Sequence, residues 1–407
     1  KLWEPVSEQD VTDAWEKTES KSGALYVHIP FCVSKCGYCD YASNYGNLEE
    51  SGAYIAAIER EAGSLSEIIA RLNLESIFFG GGTPTTLSEE EMERILKIKI
   101  LSGPINAEIA IEIYPWKEQL RDKMSLMKEN GVTRASIGVQ DFEDGVLAFS
   151  GRRYTGVEAS QVVQEAMDMF ETVNIDLICG LPKQTRWDEA IRKAITLGTQ
   201  QITVQPFSNR HPGIRFYQDR YRKMMPGVGQ LKAMYEDACI SLTEAGYQQT
   251  SRHFFTRQGQ NKYEGIITRS KPRLGLGAHS ISLVDGFTYK NHTDLRDYMR
   301  AVADGELPVD VGFKIIEGDR MRSHIFYSLS ADCGRLFLDE KEFEGKFGQR
   351  IQDAYPEEVE ALEVTGLAVA SPQMINLTRD GVYYISTIQR LFYNPDYQKI
   401  KEKKYGK

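Results

Sequence analysis

HIPFCVSKCGYCDY, residues 28–41, places three cysteines close together, at Cys32, Cys36 and Cys39. Structural zinc takes four ligands, so the spacing C-x3-C-x2-C is one thiolate short of a zinc site. An odd cluster also does not fit a disulfide framework, since the whole chain of 407 residues has only 6 cysteines. Iron–sulfur clusters are held by cysteine thiolates, and three thiolates on a [4Fe–4S] cluster leave one iron open. The stretch therefore predicts a cluster with one coordination position for a substrate or cofactor.

The cysteine loop follows an apolar, strand-like run, and this rhythm repeats along the chain to about residue 208. The predicted strands are residues 24–30, 76–81, 107–114, 134–140, 173–182 and 201–207, and the predicted helices are residues 49–72, 88–98, 117–130, 156–170 and 187–198. Strands joined by crossover helices form a parallel sheet, and eight such units would close a full barrel. Six units predict an α/β fold with an incomplete parallel (β/α)6 TIM-like barrel. The cysteine loop then lies at the carboxyl ends of the strands, where such barrels hold their active sites.

Beyond the barrel pattern the chain divides into further segments. We expect an N-terminal extension over residues 1–23, the partial barrel over 24–210, a segment that covers the barrel mouth and completes the barrel over 211–310, and a C-terminal lid domain over 311–407. The last segment has a mostly helical pattern with a short strand pair, which is typical of a small winged-helix-like domain.

Charge and hydropathy exclude several classes of function. The net charge is −9 and the sequence pI about 5.4, so no basic nucleic-acid footprint is present. No apolar run approaches the ~18 residues that a membrane span needs, and the N-terminus lacks a signal-peptide pattern. The sequence therefore predicts a cytoplasmic protein without a membrane span or a nucleic-acid partner.

These motifs resemble those of the radical S-adenosylmethionine (SAM) superfamily, whose signature is C-x3-C-x2-C with an aromatic residue before the last cysteine, here Tyr38. Four further stretches are similar to the oxygen-independent coproporphyrinogen III oxidase-like branch, which includes heme chaperones. They are FFGGGTPTTLS (78–88), SIGVQDF (136–142), NIDLICGLPKQT (174–185) and GLGAHSIS (275–282). The resemblance runs from about residue 24 to about residue 395.

The resemblance implies a [4Fe–4S] cluster on Cys32, Cys36 and Cys39 that binds and cleaves SAM to a 5′-deoxyadenosyl radical. The electron would come from a low-potential donor such as flavodoxin or ferredoxin. The residues that the resemblance assigns to SAM binding are Tyr38, Gly80, Gly81, Gly82, Thr83, Glu112, Gln140, Arg152 and Asp176. Whether one or two SAM molecules bind, and whether Arg152 or Arg153 makes the contact, stays open at the level of sequence.

Each of these assignments also has a physical reading. Glycines at a strand end let backbone groups approach a ligand closely, although they also suit a simple tight turn. Glu112 and Asp176 are carboxylates within apolar strands, where a charge is costly without a partner. A capped structural carboxylate is the alternative for both. An arginine such as Arg152 can fork onto a carboxylate.

The resemblance leaves three reactions in competition. Coproporphyrinogen III oxidases carry a fourth cysteine two residues after the third, where this chain has Tyr41. We therefore expect first a class C radical SAM methyltransferase, which transfers a methyl or methylene group to an sp2 carbon of a flat, unsaturated small molecule. Anaerobic modification of a tetrapyrrole, either heme or a porphyrinogen, is the first alternative. A heme chaperone that uses His253 is the second, although the sequence after His253 differs from that branch.

Overall fold

One sheet of thirteen strands organises most of the chain in the computed structural model. The structure describes residues 3–39, 41, 44–45, 48–103, 106–116, 120–207, 219–259, 261–330 and 334–394. The strands are β1 (Glu4–Pro5), β2 (Ser22–Ile29), β3 (Phe31–Cys32), β4 (Asn44–Tyr45), β5 (Asn73–Gly81), β6 (Glu108–Ile113), β7 (Arg134–Gln140), β8 (Thr172–Cys179), β9 (Gln201–Pro206), β10 (Gln248–Gln249), β11 (Phe254–Thr256), β12 (Arg273–Leu276), β13 (Ile281–Val284), β14 (Phe287–Asn291), β15 (Val309–Lys314), β16 (Phe337–Asp339), β17 (Ala368–Ala370) and β18 (Met374–Leu377).

Helices join the strands and cover the sheet. They are α1 (Glu8–Lys17), α2 (Ser51–Ser64), α3 (Ser66–Arg71), α4 (Glu89–Leu96), α5 (Leu120–Glu129), α6 (Asp144–Phe149), α7 (Gly156–Met169), α8 (Trp187–Leu197), α9 (Asp219–Arg222), α10 (Val228–Glu244), α11 (Lys262–Thr268), α12 (Leu295–Ala303), α13 (Arg320–Ser328), α14 (Glu340–Phe347), α15 (Ile351–Ala354), α16 (Pro356–Val364), α17 (Arg379–Tyr383) and α18 (Ile385–Leu391). Ser88 and Thr155 begin α4 and α7 with capping boxes, in which each hydroxyl accepts from the backbone three residues ahead.

The sheet runs in the order β1-β15-β14-β13-β12-β2-β5-β6-β7-β8-β9-β11-β10. The strands β2, β5, β6, β7, β8 and β9 are the six predicted ones, and each pairs in parallel with the next. This parallel α/β core confirms the fold class. β12 adds a seventh parallel strand beside β2, which the sequence analysis did not predict. Because β1 and β10 form the two edges, the sheet of the described residues stays open, as expected of an incomplete barrel.

One detail of the predicted elements is wrong. The single helix expected over residues 49–72 is two helices, because α2 ends at Ser64 and α3 begins at Ser66. Leu65 between them is buried, so the break keeps an apolar contact with the core. Residues 117–119 and 208–218, which the sequence analysis assigned to a helix and to cover of the barrel mouth, lie outside the described residues.

The inner face of the sheet is partly filled by α11. Tyr263 and Ile266 of this helix pack with Ala24 of β2, and the rings of Tyr26 and Phe78 lie against the same cluster. The ring of Phe78 stacks on that of Tyr263 with centroids 4.8 Å apart. The helix therefore closes one side of the sheet's interior and leaves the carboxyl ends of the strands accessible.

Residues after the large sheet form a second hydrophobic core. Helices α13 to α18 surround a three-stranded sheet of order β16-β18-β17, and the core contains Leu329, Phe343, Leu362 and Ile388. The sequence analysis predicted only a strand pair here and missed the short β16. The domain boundaries proposed from the sequence stay predictions. Among the described residues no helix has both the length and the apolarity that crossing a membrane requires.

Candidate active site

A cavity of about 360 Å³ lies at the carboxyl ends of the parallel strands. It brings together all three cysteines of the loop after β2 and eight of the nine other predicted site residues. These eight are Tyr38, Gly81, Gly82, Thr83, Glu112, Gln140, Arg152 and Asp176. Gly80 is the ninth, and it does not line the cavity. A side chain at Gly80 would lie 3.1 Å from the Glu112 carboxyl group, so this glycine leaves space for that carboxylate.

Each of the three cysteines has a hydrogen-bonding group close to its sulfur. Cys32 Sγ lies 3.5 Å from Thr83 Oγ1. Arg152 Nη1 donates to Cys36 Sγ at 3.4 Å, and Lys35 Nζ lies 3.9 Å from Cys39 Sγ. None of the three is in a disulfide. Burial raises the pKa of the Cys39 thiol, while the charge of Lys35 opposes that shift.

The glycine turn after β5 makes room for the cysteine loop. A Cβ atom at Gly82 would lie 2.6 Å from Phe31 O and 2.9 Å from Cys32 Sγ. The backbone N–H of Gly82 instead donates to Ile29 O at 2.7 Å, which fixes the turn against the end of β2. Only glycine fits this contact, so the turn and the cysteine loop form one packed unit.

The donor set fits a cluster better than a single metal ion. Within the described ranges, no three Cys, His, Asp or Glu side chains lie close enough to hold one ion. A single zinc ion takes its sulfur ligands at about 2.3 Å, which forces them together. Three thiolates on a [4Fe–4S] cluster bind three different irons and therefore stand farther apart. The three sulfurs around this cavity suit the second arrangement.

Glu112 is held at the centre of the cavity wall by the glycine turn. The N–H of Gly81 donates to Glu112 Oε2 at 3.0 Å. Burial raises the pKa of Glu112 to about 8, and the nearby charge of Asp176 adds to this rise. The single backbone donor and the charge of Arg134 only partly offset the cost of desolvation. Among the described residues, Glu112 is thus an acceptor with a single backbone donor.

Asp176 lies on the neighbouring wall with more complete hydrogen bonding. Ser136 Oγ donates to Asp176 Oδ2 at 3.1 Å, and Asn174 Nδ2 donates to Oδ1 at 2.8 Å. Burial raises the pKa of Asp176, while hydrogen bonds from Thr203, Asn174 and Ser136 and the charge of Arg134 lower it. These strand residues orient the carboxylate toward the cavity.

Gln140 ends β7 in a backbone conformation that side chains rarely adopt. Its φ is 69°, and the pairing of β7 with β8 shifts register just before it. Non-glycine residues with positive φ cost energy and occur often at functional sites. The Gln140 side chain lines the cavity, and its Nε2 would lie 2.8 Å from a Cβ added at Gly138.

The structure shows which of the two neighbouring arginines, Arg152 or Arg153, lines the cavity. Arg152 lines the cavity, whereas the Arg153 side chain is exposed. Arg152 Nε donates to Tyr154 Oη at 2.7 Å, and its Nη2 donates to Gly138 O. Its guanidinium also lies over the ring of Tyr114, 4.3 Å from the centroid. Arg152 is therefore the arginine that faces the predicted site.

Arg134 and Thr203 are among the polar cavity residues that were missed as site candidates. Arg134 is 1% exposed, donates from Nε to Gln201 Oε1 at 3.1 Å, and its Nη2 has no hydrogen-bond partner among the described residues. Thr203 lines the same wall. The signal was present in the strands, since Ser136, Gly138 and Gln140 alternate with buried apolar residues of β7. Such alternation marks the inward face of a barrel strand.

His253 is the residue that a heme chaperone would use, and two phenylalanines follow it in the sequence. His253 and Phe254 line the cavity, whereas Phe255 is fully buried in the main core. Burial lowers the pKa of His253 to about 3, with a further contribution from the charge of Arg252. His253 Nε2 has no hydrogen-bond partner within the described part of the chain. His253 is therefore a neutral imidazole with an available nitrogen beside the cavity.

Comparison with protein-family models gives a match to the radical SAM superfamily over residues 26–195. Among curated proteins, the chain is 27% identical over 367 residues to the heme chaperone HemW of Bacillus subtilis, covering 88% of this chain and 96% of that protein. It is 29% identical over 397 residues to the oxygen-independent coproporphyrinogen III oxidase of Pseudomonas aeruginosa, covering 91% of this chain and 85% of that protein.

Comparison with solved structures agrees with these matches. The coproporphyrinogen III oxidase of Escherichia coli, described as a radical SAM enzyme, superimposes with a TM-score of 0.83 at 25% identity. The superposition covers 95% of this chain and 93% of that one. The shared fold therefore includes both the parallel sheet and the C-terminal segment.

Proposed function

The chain belongs to the radical SAM superfamily, in the coproporphyrinogen III oxidase-like branch, and from this premise we propose that Cys32, Cys36 and Cys39 hold its cluster. The cofactors of the family, a [4Fe–4S] cluster and SAM, are those of this enzyme. One observation carries the proposal: the three cysteines line one cavity together with Glu112, Asp176, Gln140 and Arg152. When bound, the cluster and SAM supply a 5′-deoxyadenosyl radical that takes hydrogen from the substrate.

Different groups of the cavity contact different parts of SAM. The backbone of Gly81 and Gly82 is open to close approach by the amino-acid end of SAM. Glu112 and Asp176 accept hydrogen bonds from ammonium or hydroxyl groups, and their raised pKa values favour a ligand that donates to them. Gln140 offers an amide at a fixed position. These contacts place the reacting bond and keep water away from it.

The remaining wall supports a flat, unsaturated substrate. Phe78, Ile178, Phe207 and Phe254 line the same cavity with apolar surface, next to the polar groups that bind SAM. Aromatic side chains bury large flat areas and stack on planar ligands. The two curated relatives named above bind or act on heme and porphyrinogens by their names. We therefore propose a tetrapyrrole-type substrate, modified through hydrogen abstraction.

Methyl or methylene transfer to an sp2 carbon is the other reaction that we propose for this site. Tyr41 lines the cavity where coproporphyrinogen III oxidases have a fourth cysteine, and this difference supports the methyl-transfer reading. In that case one SAM supplies the radical and a second supplies the carbon, so S-adenosylhomocysteine becomes a product.

A product assay tests these proposals. The protein is reconstituted with iron and sulfide without oxygen, and SAM and dithionite are added with and without a porphyrinogen or heme. Mass spectrometry then measures 5′-deoxyadenosine and S-adenosylhomocysteine. Cys36→Ala is the test variant, and Cys239→Ala is its matched control, since Cys239 is buried outside the cavity.

We expect 5′-deoxyadenosine from the wild type and from Cys239→Ala, and none from Cys36→Ala. A porphyrinogen or heme that increases the yield and is itself changed in mass supports the tetrapyrrole reaction. S-adenosylhomocysteine that appears with 5′-deoxyadenosine supports methyl transfer instead. A fully loaded cluster that never cleaves SAM contradicts both reactions.

His253 gives specific support to a second function, that of a heme chaperone. A neutral imidazole with an available Nε2 is the usual protein ligand of heme iron. If heme transfer is the function, one heme per chain binds with an imidazole-type absorption spectrum, and His253→Ala abolishes it. His292→Ala is the control, because His292 does not line the cavity. Equal heme binding by both variants contradicts this role for His253.

A further inference from the structure

The three sulfurs of the cysteine loop differ in the charge of the side chain beside each one. Thr83 beside Cys32 is neutral, whereas Arg152 beside Cys36 and Lys35 beside Cys39 are cationic. Hydrogen bonds to cluster sulfurs and local charge are among the factors that set the reduction potential of an iron–sulfur cluster. Two cations next to two of three thiolates therefore bear directly on how easily the site accepts an electron.

Arg152 is fixed in this position by its surroundings. Its guanidinium lies between two rings, with centroid distances of 4.3 Å to Tyr114 and 5.0 Å to Tyr154. Tyr154 Oη and Gly138 O accept from the same guanidinium, so it cannot turn toward solvent without losing three contacts. Arg152 is thus a preorganised donor, and not a mobile surface charge.

The charge balance at Arg152 is incomplete within the chain. Among the described residues no Asp or Glu forms an ion pair with Arg152, and its only acceptors are a hydroxyl, a carbonyl and a sulfur. A partly buried cation without a carboxylate is costly unless an anion is nearby. Deprotonated Cys36 is the anion that the chain itself places in contact. The pairing is a charge-assisted hydrogen bond once a cluster is held there.

Lys35 is also held in place by a hydrogen bond. Its Nζ donates to Tyr41 O at 2.7 Å, and the same ammonium faces Cys39 Sγ. The lysine therefore links the two ends of the cysteine loop. Because Lys35 is more distant from its sulfur than Arg152 is, its effect on the potential is expected to be smaller.

We propose that Arg152, with Lys35 as a weaker second donor, raises the reduction potential of the cluster by donating to the thiolates of Cys36 and Cys39. The addition of one electron, from dithionite in the experiment, makes the site one unit more negative, and adjacent cations stabilise that state. This role rests on the proposed function, since it needs a cluster on the three cysteines. It makes Arg152 a positioning residue for electron transfer, in addition to any contact with SAM.

The test is an anaerobic redox titration of the reconstituted protein without SAM, followed by electron paramagnetic resonance of the reduced cluster. The variants are Arg152→Gln, Arg152→Lys and Lys35→Met. Arg153→Gln is the matched control, because its side chain is exposed and outside the cavity. Iron and sulfide content per chain is measured for each variant before the titration.

We expect the midpoint potential to fall most in Arg152→Gln and less in Lys35→Met, with Arg152→Lys between Arg152→Gln and the wild type. Arg153→Gln should match the wild type. If Arg152→Gln does not retain a cluster, Lys35→Met and Arg152→Lys decide the question by the same criterion. Unchanged potentials in the loaded variants, or an equal fall in Arg153→Gln, overturn the inference. A wild type that never assembles a cluster overturns the proposed function itself.

Discussion

Glu112 lies where a carboxylate is costly for folding and useful for binding. Its pKa of about 8 in the folded protein is above the ordinary 4.5, because burial disfavours the charge. Between these two values the unfolded chain releases a proton that the folded chain keeps, so stability contributed by this group falls as pH rises. Such a conflict between stability and function is common at binding sites.

Glu112→Gln separates the two effects. Gln cannot ionise but still offers an oxygen to the Gly81 N–H, so we expect the apoprotein to gain roughly 1–3 kcal/mol near pH 8 and little near pH 4.5. Binding of SAM to the loaded protein should weaken by about tenfold or more, because a charged acceptor is lost. Urea unfolding at both pH values and equilibrium dialysis with SAM measure these changes. A variant that is less stable than the wild type at pH 8 would contradict this account.

Gly82 is a second residue at which one added atom should disturb the site. We expect Gly82→Ala to reduce the iron bound per chain severalfold, because the added Cβ would lie 2.9 Å from Cys32 Sγ and 2.6 Å from Phe31 O. Gly145→Ala is the control, since a Cβ at that position meets nothing within 4 Å. Iron and sulfide analysis after reconstitution compares the two. Full iron loading in Gly82→Ala would show that the turn has more freedom than its packing indicates.

At the scale of single residues, the sequence predicted a common site for the three cysteines and eight other residues that line the cavity. Cys32, Cys36 and Cys39 follow directly after a strand, so their place at its carboxyl end could be predicted from the spacing alone. Arg134 shares the alternation of Ser136, Gly138 and Gln140, but a charged residue at the start of a strand is usually exposed, so its place in the cavity was not predicted. Its burial depends on Gln201, which is remote in sequence and adjacent only in the folded sheet.

The end of β7 shows how one element adapts to the site. A bulge and a positive φ at Gln140 interrupt an otherwise regular strand. Ser136, Gly138 and Gln140 of this strand line the cavity, and the bulge lies next to the last of them. The local strain is therefore a cost that this strand carries for the position of one side chain.

A pair of substitutions measures that strain. Both Gln140→Ala and Gln140→Gly remove the amide, so both should weaken SAM binding to a similar extent. Only glycine adopts φ near 69° without cost, and we expect Gln140→Gly to be more stable than Gln140→Ala by about 1 kcal/mol. Denaturant unfolding of the two apoproteins gives the difference. Equal stability would mean that the backbone at this position relaxes in the variants.

Elements that depend on distant partners were the ones that sequence reasoning missed. β12 has only four residues, includes Gly275, and forms a strand because β2 offers it an open edge. The seven-residue α11 is too short for a helical period to stand out, and its position inside the sheet depends on contact with Phe78. The long crossover helices, by contrast, carry their own pattern and were predicted.

At the scale of the whole molecule, the C-terminal segment contacts the barrel next to the cavity. Lys232 of α10 pairs with Asp380 at 2.8 Å. Arg252 lies over the ring of Tyr383, 5.5 Å from the centroid, and Arg252 O accepts from Tyr235 Oη at 2.5 Å. Since His253 follows Arg252, this contact braces the turn that lines one side of the cavity.

Tyr383→Ala tests whether that brace matters for function. Tyr383 is buried, so its loss should cost roughly 3 kcal/mol of stability by removing packing against Tyr235 and Arg252. We expect SAM cleavage without substrate to stay close to wild type, while coupling to substrate falls. The ratio of modified substrate to 5′-deoxyadenosine measures the coupling. Lys17→Met is the control, because its exposed ion pair with Asp13 on α1 should contribute less than ~1 kcal/mol and is not part of this contact. An unchanged ratio in Tyr383→Ala would remove the C-terminal segment from the reaction.

The parallel pairing of β2 with both β5 and β12 has a consequence for biosynthesis. β2 ends at Ile29, directly before the cysteine loop, whereas β12 begins only at Arg273. During translation the strand that supports the loop therefore has a single neighbour, and its other edge is open to wrong partners until β12 leaves the ribosome. Because closing contacts between such distant segments is slow, we expect stable loading of iron only after the chain is complete.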